Sequence, residues 1–420
     1  MNVADFLLRG THAAAALTVV LAVGRLGRAA ARRLRQPEVI GEIVAGLVAG
    51  PAAVAVLGAR TFAVMLPGRV VDLLKLCAEV GLVLFLLGLA HRFHQGEQRP
   101  PRRAAYWVVA GGLAPALLSG VAFAGWILLA EDHDVRGNAP LPAFLLMCGV
   151  ALSITAVPVL ARILADRGAT DTSEGRLSMT AAVVIDTVGW LLLSATVGLA
   201  SGRPHGLLQA IAVLTCGVLV ASAVRYALRG QAATALCRSA PAITAVFLAV
   251  LALAVALGVE HLGLTAILGA VLIGLAVPAD DSWARVVASV TRVGRALVPV
   301  FFVVTGLTVF AAGIGTLSWS LIVVATVFAV VGKGAGSYLG ARMAGEDSRT
   351  AAKVGVLMNT RGLTELIVLK VGHDTGILTP PVFVALVVMA VATTSVTGPL
   401  LLVLDRCVPR TAADTEGTAG

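Results

Sequence analysis

The stretch ALSITAVPVLARIL, residues 151–164, is apolar almost throughout, yet Pro158 interrupts it and Ser153 and Thr155 stand just before the proline. Inside a helix, proline removes a backbone donor and its ring clashes with the preceding turn. A second apolar stretch, GVLMNTRGLTELIV at 355–368, is broken by Asn359-Thr360-Arg361-Gly362. Each reads as a helix that stops in mid-course and starts again.

The surroundings say where such helices lie. Of 420 residues, 58% are hydrophobic and 13% charged, against about a quarter charged in soluble domains. Apolar runs of roughly 20 residues, the length that crosses a bilayer as an α-helix, recur along the chain. The spans are predicted at 11–30, 38–57, 71–90, 104–130, 140–165, 177–200, 206–229, 240–258, 262–278, 296–314, 317–341, 350–372 and 380–404, thirteen in all. The fold class is an all-α polytopic membrane protein, and the alternation of a membrane β-barrel is absent. The formal charge of +9 sits in short loops, where it orients membrane helices, and implies no nucleic acid.

With the N-terminus outside, the inner loops collect 23 Lys and Arg residues, from Arg25 to Arg410. The outer side has six: Arg9, Arg60, Arg69, Arg136, Arg203 and Lys370. That asymmetry predicts N-out, C-in and an odd number of spans. The first apolar run is expected to be a retained helix rather than a cleaved leader. Residues 1–405 read as one membrane unit, with 406–420 a short disordered cytoplasmic tail and no soluble regulatory domain expected.

The breaks fall in the fifth and twelfth spans, each next to last in a six-helix half. Matched interruptions in two halves mark an inverted-repeat secondary transporter. Repeat one would cover about 11–200, a linker helix about 206–229 and repeat two about 240–404. Exposed ends of half-helices carry partial charge, and Arg361 would offset the negative ones.

Ionisable groups within spans are expensive and usually face a bundle interior or a water-filled cavity. Asp186 lies in AAVVIDTVGWLLLS, 181–194. A carboxylate that changes charge near neutral pH can exchange a proton for a cation. Lys333, in VVGKGAGSYLGAR, is the natural counter-charge, and Gly332, Gly336 and Gly340 form a small-residue stripe for close helix approach. Glu42, in VIGEIVAGLVAGP, is either a cation relay or a packing partner of Arg361. Glu79 and Glu365 read as structural or vestibule groups, and Asn359 belongs to the polar patch of the second break. Asp72 and Lys75 lie near a span end and can snorkel. His91 and His94, an i,i+3 pair, read as solvated rather than metal-bound. The five scattered cysteines include no CxxC and read as small buried side chains. There is no P-loop, and no prosthetic group is expected.

These motifs together resemble the monovalent cation:proton antiporter-2 family, the Kef-type sodium/hydrogen exchangers, over about residues 35–405. PEVIGEIVAGLVAGP is similar to its second-helix motif, CAEVGLVLFLLGL to its third, and ALSITAVPVLARIL to its unwound helix. VPVFFVVTGL, GVLMNTRGLTELIVL and AVATTSVTGPLL match further signatures. The resemblance implies a homodimer with a dimerisation domain and a core domain in which two broken helices cross, in a cell membrane, exchanging Na⁺ or K⁺ for protons. It implies that the acid four residues before the tryptophan, Asp186 before Trp190, binds the monovalent cation. It places Lys333 nearby and Thr155 in the lining, with Ser153 beside it.

One position departs from the pattern. Many members carry two adjacent aspartates, and here Ile185 stands where the first would be. Lys333 must then pair with Asp186, approach another acid such as Glu42, or lose its proton. A single acid implies electroneutral exchange, and Thr187 adds a hydroxyl ligand at most. The competing readings are a Kef-type gated potassium efflux pathway without obligate proton coupling, and a sensor that keeps the fold without transport. No nucleophile–base pair suggests an enzyme.

Overall fold

The computed structural model describes residues 3–406, apart from 35, 37, 59–60, 62–65, 96–99, 202–204 and 310–317. The expected tail beyond 406 therefore lies outside the described residues. All regular structure among the described residues is helical.

The helices are α1 (Val3–Arg33), α2 (Glu38–Leu57), α3 (Gly68–Gln95), α4 (Arg102–Ala130), α5 (Leu141–Ser153), α6 (Val157–Asp166), α7 (Ser173–Ser201), α8 (His205–Leu228), α9 (Gln231–Ser239), α10 (Pro241–His261), α11 (Ala266–Ala276) and α12 (Asp281–Val309). They continue with α13 (Trp319–Met343), α14 (Ser348–Met358), α15 (Leu363–Asp374) and α16 (Pro380–Arg406). Among the described residues, ten segments are long and apolar enough to cross a membrane, with α5 and α6 counted together. The other three predicted spans are the short α11, the α2 segment, and the divided α14–α15. The tenth span also starts earlier than predicted. Helix α12 begins at Asp281, so Arg285, Arg292 and Arg295 ride on its first turns instead of in a loop. A helical stretch with arginines spaced along it has no apolar run to betray its true start.

Two groups of helices pack internally and touch each other sparsely. Helices α1, α2, α3, α10, α11 and α12 form one, with α3 against α12 as its main seam. Helices α4 to α7 and α13 to α16 form the other, and α8 packs against α7 and α11 between them. Each group takes three consecutive predicted spans from each half of the chain.

Both interruptions are present. Residues 154–156 are extended between α5 and α6, and 359–362 are non-helical between α14 and α15. Pro158 occupies the first turn of α6, where its missing N–H would have no helical partner in any case. The same ring disfavours a helical Ile154 four residues earlier, and Ile154 is extended, at φ −69° and ψ 143°.

Helix α13 contains a π-helical turn at Val330–Ala335. Such a turn inserts one residue and rotates the rest of the helix, and it is common at functional sites. The glycine stripe beside it lies on α4: a methyl group on Gly340 would lie 3.2 Å from the Gly111 Cα and closer still to the Trp107 carbonyl.

Ion pairs join helix ends assigned to one side of the membrane. Arg28 meets Glu42 at 3.2 Å, Arg162 meets Glu38 at 3.5 Å and Asp166 at 3.0 Å, and Lys353 meets Glu174 and Asp405 at 3.1 and 2.9 Å. Asp72 and Lys75 pair at an exposed helix end, 3.7 Å apart.

Candidate functional site

The two breaks meet at the centre of the second group. The Thr155 hydroxyl donates to the Met358 carbonyl at 3.1 Å, and the Ala156 N–H donates to the Thr360 carbonyl at 3.2 Å. Backbone freed from one helix is thus satisfied by the other, as an apolar surrounding requires. Gly362 permits the crossing, since a methyl group there would lie 2.7 Å from Val159 Cγ2.

The last turn of α5 presents carbonyls with no helical partner, and cations from the second half of the chain cap three in succession. Arg361 donates to the Ala151 carbonyl at 3.0 Å and to the Leu152 carbonyl at 2.7 Å. Lys333 Nζ donates to the Ser153 carbonyl. Both cations are completely buried. A helix C-terminus carries roughly half a negative charge, so each cation faces an opposite partial charge. Arg361 also pairs with Glu365 at 3.0 Å.

The sequence leaves Glu42 as either a relay or a partner of Arg361. It is buried, but its ion partner is Arg28 on α1, and the other charges bearing on it come from Arg162, Asp166 and Glu38. Arg361 has its own acid one turn along α15, so the Glu42–Arg361 contact is not made.

Asp186 lies near the middle of the 29-residue α7 and is 4% exposed. Its Oδ1 is buried and accepts no hydrogen bond, and Asp186 forms no ion pair, among the described residues. The cation whose field reaches it is Lys333. Lys333 itself forms no ion pair among the described residues; its bond goes to backbone. Helix α7 closes on the first break through Gly189, where a methyl group would lie 2.8 Å from the Ile154 side chain.

Ile185, next to Asp186, is buried in a separate apolar cluster with Val108, Ala181, Val354 and Met358. That apolar environment suits an isoleucine. The Ser153 hydroxyl bonds Val150 O at 3.0 Å and the Thr187 hydroxyl bonds Val183 O at 2.9 Å, each within its own helix. Thr155 and Ser153 keep acceptor lone pairs, whereas Thr187 is only half-buried. Asn359 ends α14, and its side-chain Oδ1 is buried without a partner among the described residues. It lines a cavity of about 500 Å³ beside the π-turn and Thr393 and Thr397 of α16.

Three features escape a reading of the sequence. Thr394 of α16 accepts from the Arg361 N–H and donates to the Arg361 carbonyl, both at 2.7 Å, and so holds the second break open. Ser337 lies one turn from Lys333 on α13, buried and unpartnered among the described residues. The π-turn aims Lys333. The hydroxyl-rich run VATTSVT in an apolar helix was the available sign for Thr394. His91 is buried in the α3–α12 seam, not solvated as its position near a helix end suggests. No group of three or more metal-ligating residues occurs among the described residues.

A polytopic helical protein whose broken helices cross beside a buried carboxylate and two buried cations has the architecture of a secondary transporter. The comparisons narrow the class. The family described as sodium/hydrogen exchanger, transmembrane, matches residues 17–403, and the chain belongs to it. It is 30% identical over 400 residues to Na(+)/H(+) antiporter NhaS4 of Synechocystis, covering 92% of this chain and 95% of that one. It is 32% identical over 404 residues to cation/H(+) antiporter 15 of Arabidopsis thaliana, covering 94% of this chain. The chain spans about half of that plant relative, 48% of its length. Among solved structures, the sodium proton antiporter MjNhaP1 from Methanocaldococcus jannaschii at pH 8 shares the fold, with TM-score 0.65, 15% identity and coverage of 94% and 96% of the two chains. The relatives are named as transporters, not enzymes.

Proposed function

We propose that the chain is a Kef-type antiporter that exchanges a monovalent cation, Na⁺ or K⁺, for protons through the single carboxylate of Asp186. The observation that carries this is Asp186 itself: buried beside the crossed breaks, with one oxygen uncommitted and no ion pair among the described residues. Proton and cation compete for that oxygen pair, and the competition is the coupling. Thr155 and Ser153 supply further oxygens at the first break. Arg361 and Lys333 are held by the α5 end, which leaves Asp186 free to change partners.

Alternating access would follow from motion of the α4–α7 and α13–α16 group, as core domain, against the other group as dimerisation domain. The sparse contact between the two groups supports that division. The inverted repeats at about 11–200 and 240–404, the homodimer, and the N-out, C-in orientation in a cell membrane belong to this reading. Name agreement with NhaS4 and the plant antiporter supports cation–proton exchange.

In everted vesicles, Asp186→Asn is expected to reduce exchange to background while the protein still inserts. Full exchange by that variant would refute the assignment. With Ile185 in place of a second acid, transport is expected to move no net charge. Currents on a solid-supported membrane that scale with turnover contradict this.

A further inference from the structure

At the helix ends assigned to the inner side Arg28 and Arg162 meet carboxylates, but one arginine cluster does not. A cavity of about 380 Å³ opens between α3 and α12, lined by Gly88, His91 and Arg92 from one helix and Thr291, Arg292 and Arg295 from the other. None of its described lining residues is acidic. Among the described residues Arg92, Arg292 and Arg295 enter no ion pair, in contrast to Arg28 and Arg162 nearby. The charges that bear on Arg295 come from Arg92 and Arg162, and both are positive.

Like charges gathered around one cavity repel, so the arrangement is favourable when an anion sits among them. The close seam brings them together: Gly88 of α3 packs directly on the Thr291 side chain, one residue from Arg292. Small residues at the crossing, Ala284 and Ala288, leave the room that the cavity occupies. Guanidinium forks match phosphate oxygens in pairs. Basic pockets between membrane helices on the cytoplasmic side take anionic headgroups, and the positive-inside assignment puts this one on that side. We infer that the cavity between α3 and α12 is a binding site for a phosphate group, carried either by an anionic phospholipid or by a soluble phosphate.

The test measures binding on the purified full-length chain and does not depend on the exchange reading. Retention of phosphatidylglycerol against phosphatidylcholine of matched chains is followed by native mass spectrometry. Inorganic phosphate is titrated in parallel against sodium chloride at equal ionic strength, with thermal stability as the readout. Selective phosphatidylglycerol retention, weakened about tenfold or more by Arg292→Gln and abolished by Arg92→Gln/Arg292→Gln/Arg295→Gln, supports the site with a lipid source. Stabilisation by inorganic phosphate with the same sensitivity supports it with a soluble source. Arg102→Gln/Arg103→Gln, on the same side and outside the cavity, is expected to leave binding unchanged. Lack of preference for either phosphate source, or equal loss in the Arg102/Arg103 variant, overturns the proposal. The exposed single change at Arg292 decides the matter if the triple variant does not fold.

Discussion

The two interruptions meet in space but differ in chemistry. The first, between α5 and α6, carries no charge and offers the carbonyls of Ala151, Leu152 and Ser153. The second carries Arg361, with Glu365 one turn on and Thr394 clasping its backbone. Lys333 also comes from the second half. One half therefore supplies a bare helix end and Asp186, and the other supplies the cations. A helix end that carries partial negative charge can hold a cation without using an acid. That is why Asp186 can lie within the field of the buried Lys333 and still form no ion pair among the described residues.

Breaking the asymmetry at Arg361 is expected to have the largest effect. Arg361→Ala uncaps two carbonyls and strands the fully buried Glu365. Removing one partner of a buried pair costs about 3–5 kcal/mol, so the variant should accumulate poorly and aggregate on size exclusion after solubilisation. Arg361→Lys keeps the charge but lacks the fork that reaches two carbonyls and a carboxylate, and should recover only part of the loss.

Lys333→Met sharpens the comparison. It leaves the Ser153 carbonyl without its donor, a loss of about 1–3 kcal/mol that thermal unfolding in detergent can read. Since Lys333 is bonded to the helix end, Asp186-dependent exchange should persist in this variant at reduced stability. Complete loss of exchange with stability unchanged would mean that Lys333 belongs to the coupling step instead.

The smallest effect is expected at the start of α14, the helix that leads into the second break. Asp347 caps it, accepting from the Arg349 and Thr350 N–H groups at 2.9 and 3.2 Å. Hydrogen bonding from Thr350, side chain and backbone, then from Arg349, holds its carboxyl below the ordinary carboxylate range. A lowered folded-state pKa means that the cap stabilises above the unfolded-state value and fades as pH falls through the folded one. The stability difference between the parent and Asp347→Ala should thus be constant near neutrality and shrink below about pH 4.

The positions of both breaks were legible because their signs are local: a proline after two hydroxyl residues, and a polar tetrapeptide with a glycine. Asp186 was legible because an acid in an apolar run is costly wherever the run lies. The partners were less legible. Glu42 and Glu365 are both acids in apolar helices, yet Glu42 meets Arg28 and Glu365 meets Arg361. The π-turn left no sign that hydropathy could register, since it changes which way Lys333 points without changing composition.

The chain alone determined the membrane class, the two interruptions and the presence of Asp186 in an apolar run, because hydropathy, proline and charge act over a turn or a span. Tertiary structure alone decided that Arg361 and Lys333 close the end of a helix some 200 residues earlier, and that three arginines share one cavity with no carboxylate among its described lining residues. Such pairings depend on how helices rotate and cross. Close contacts between distant glycines and their neighbours set those crossings, and no single stretch of sequence contains them.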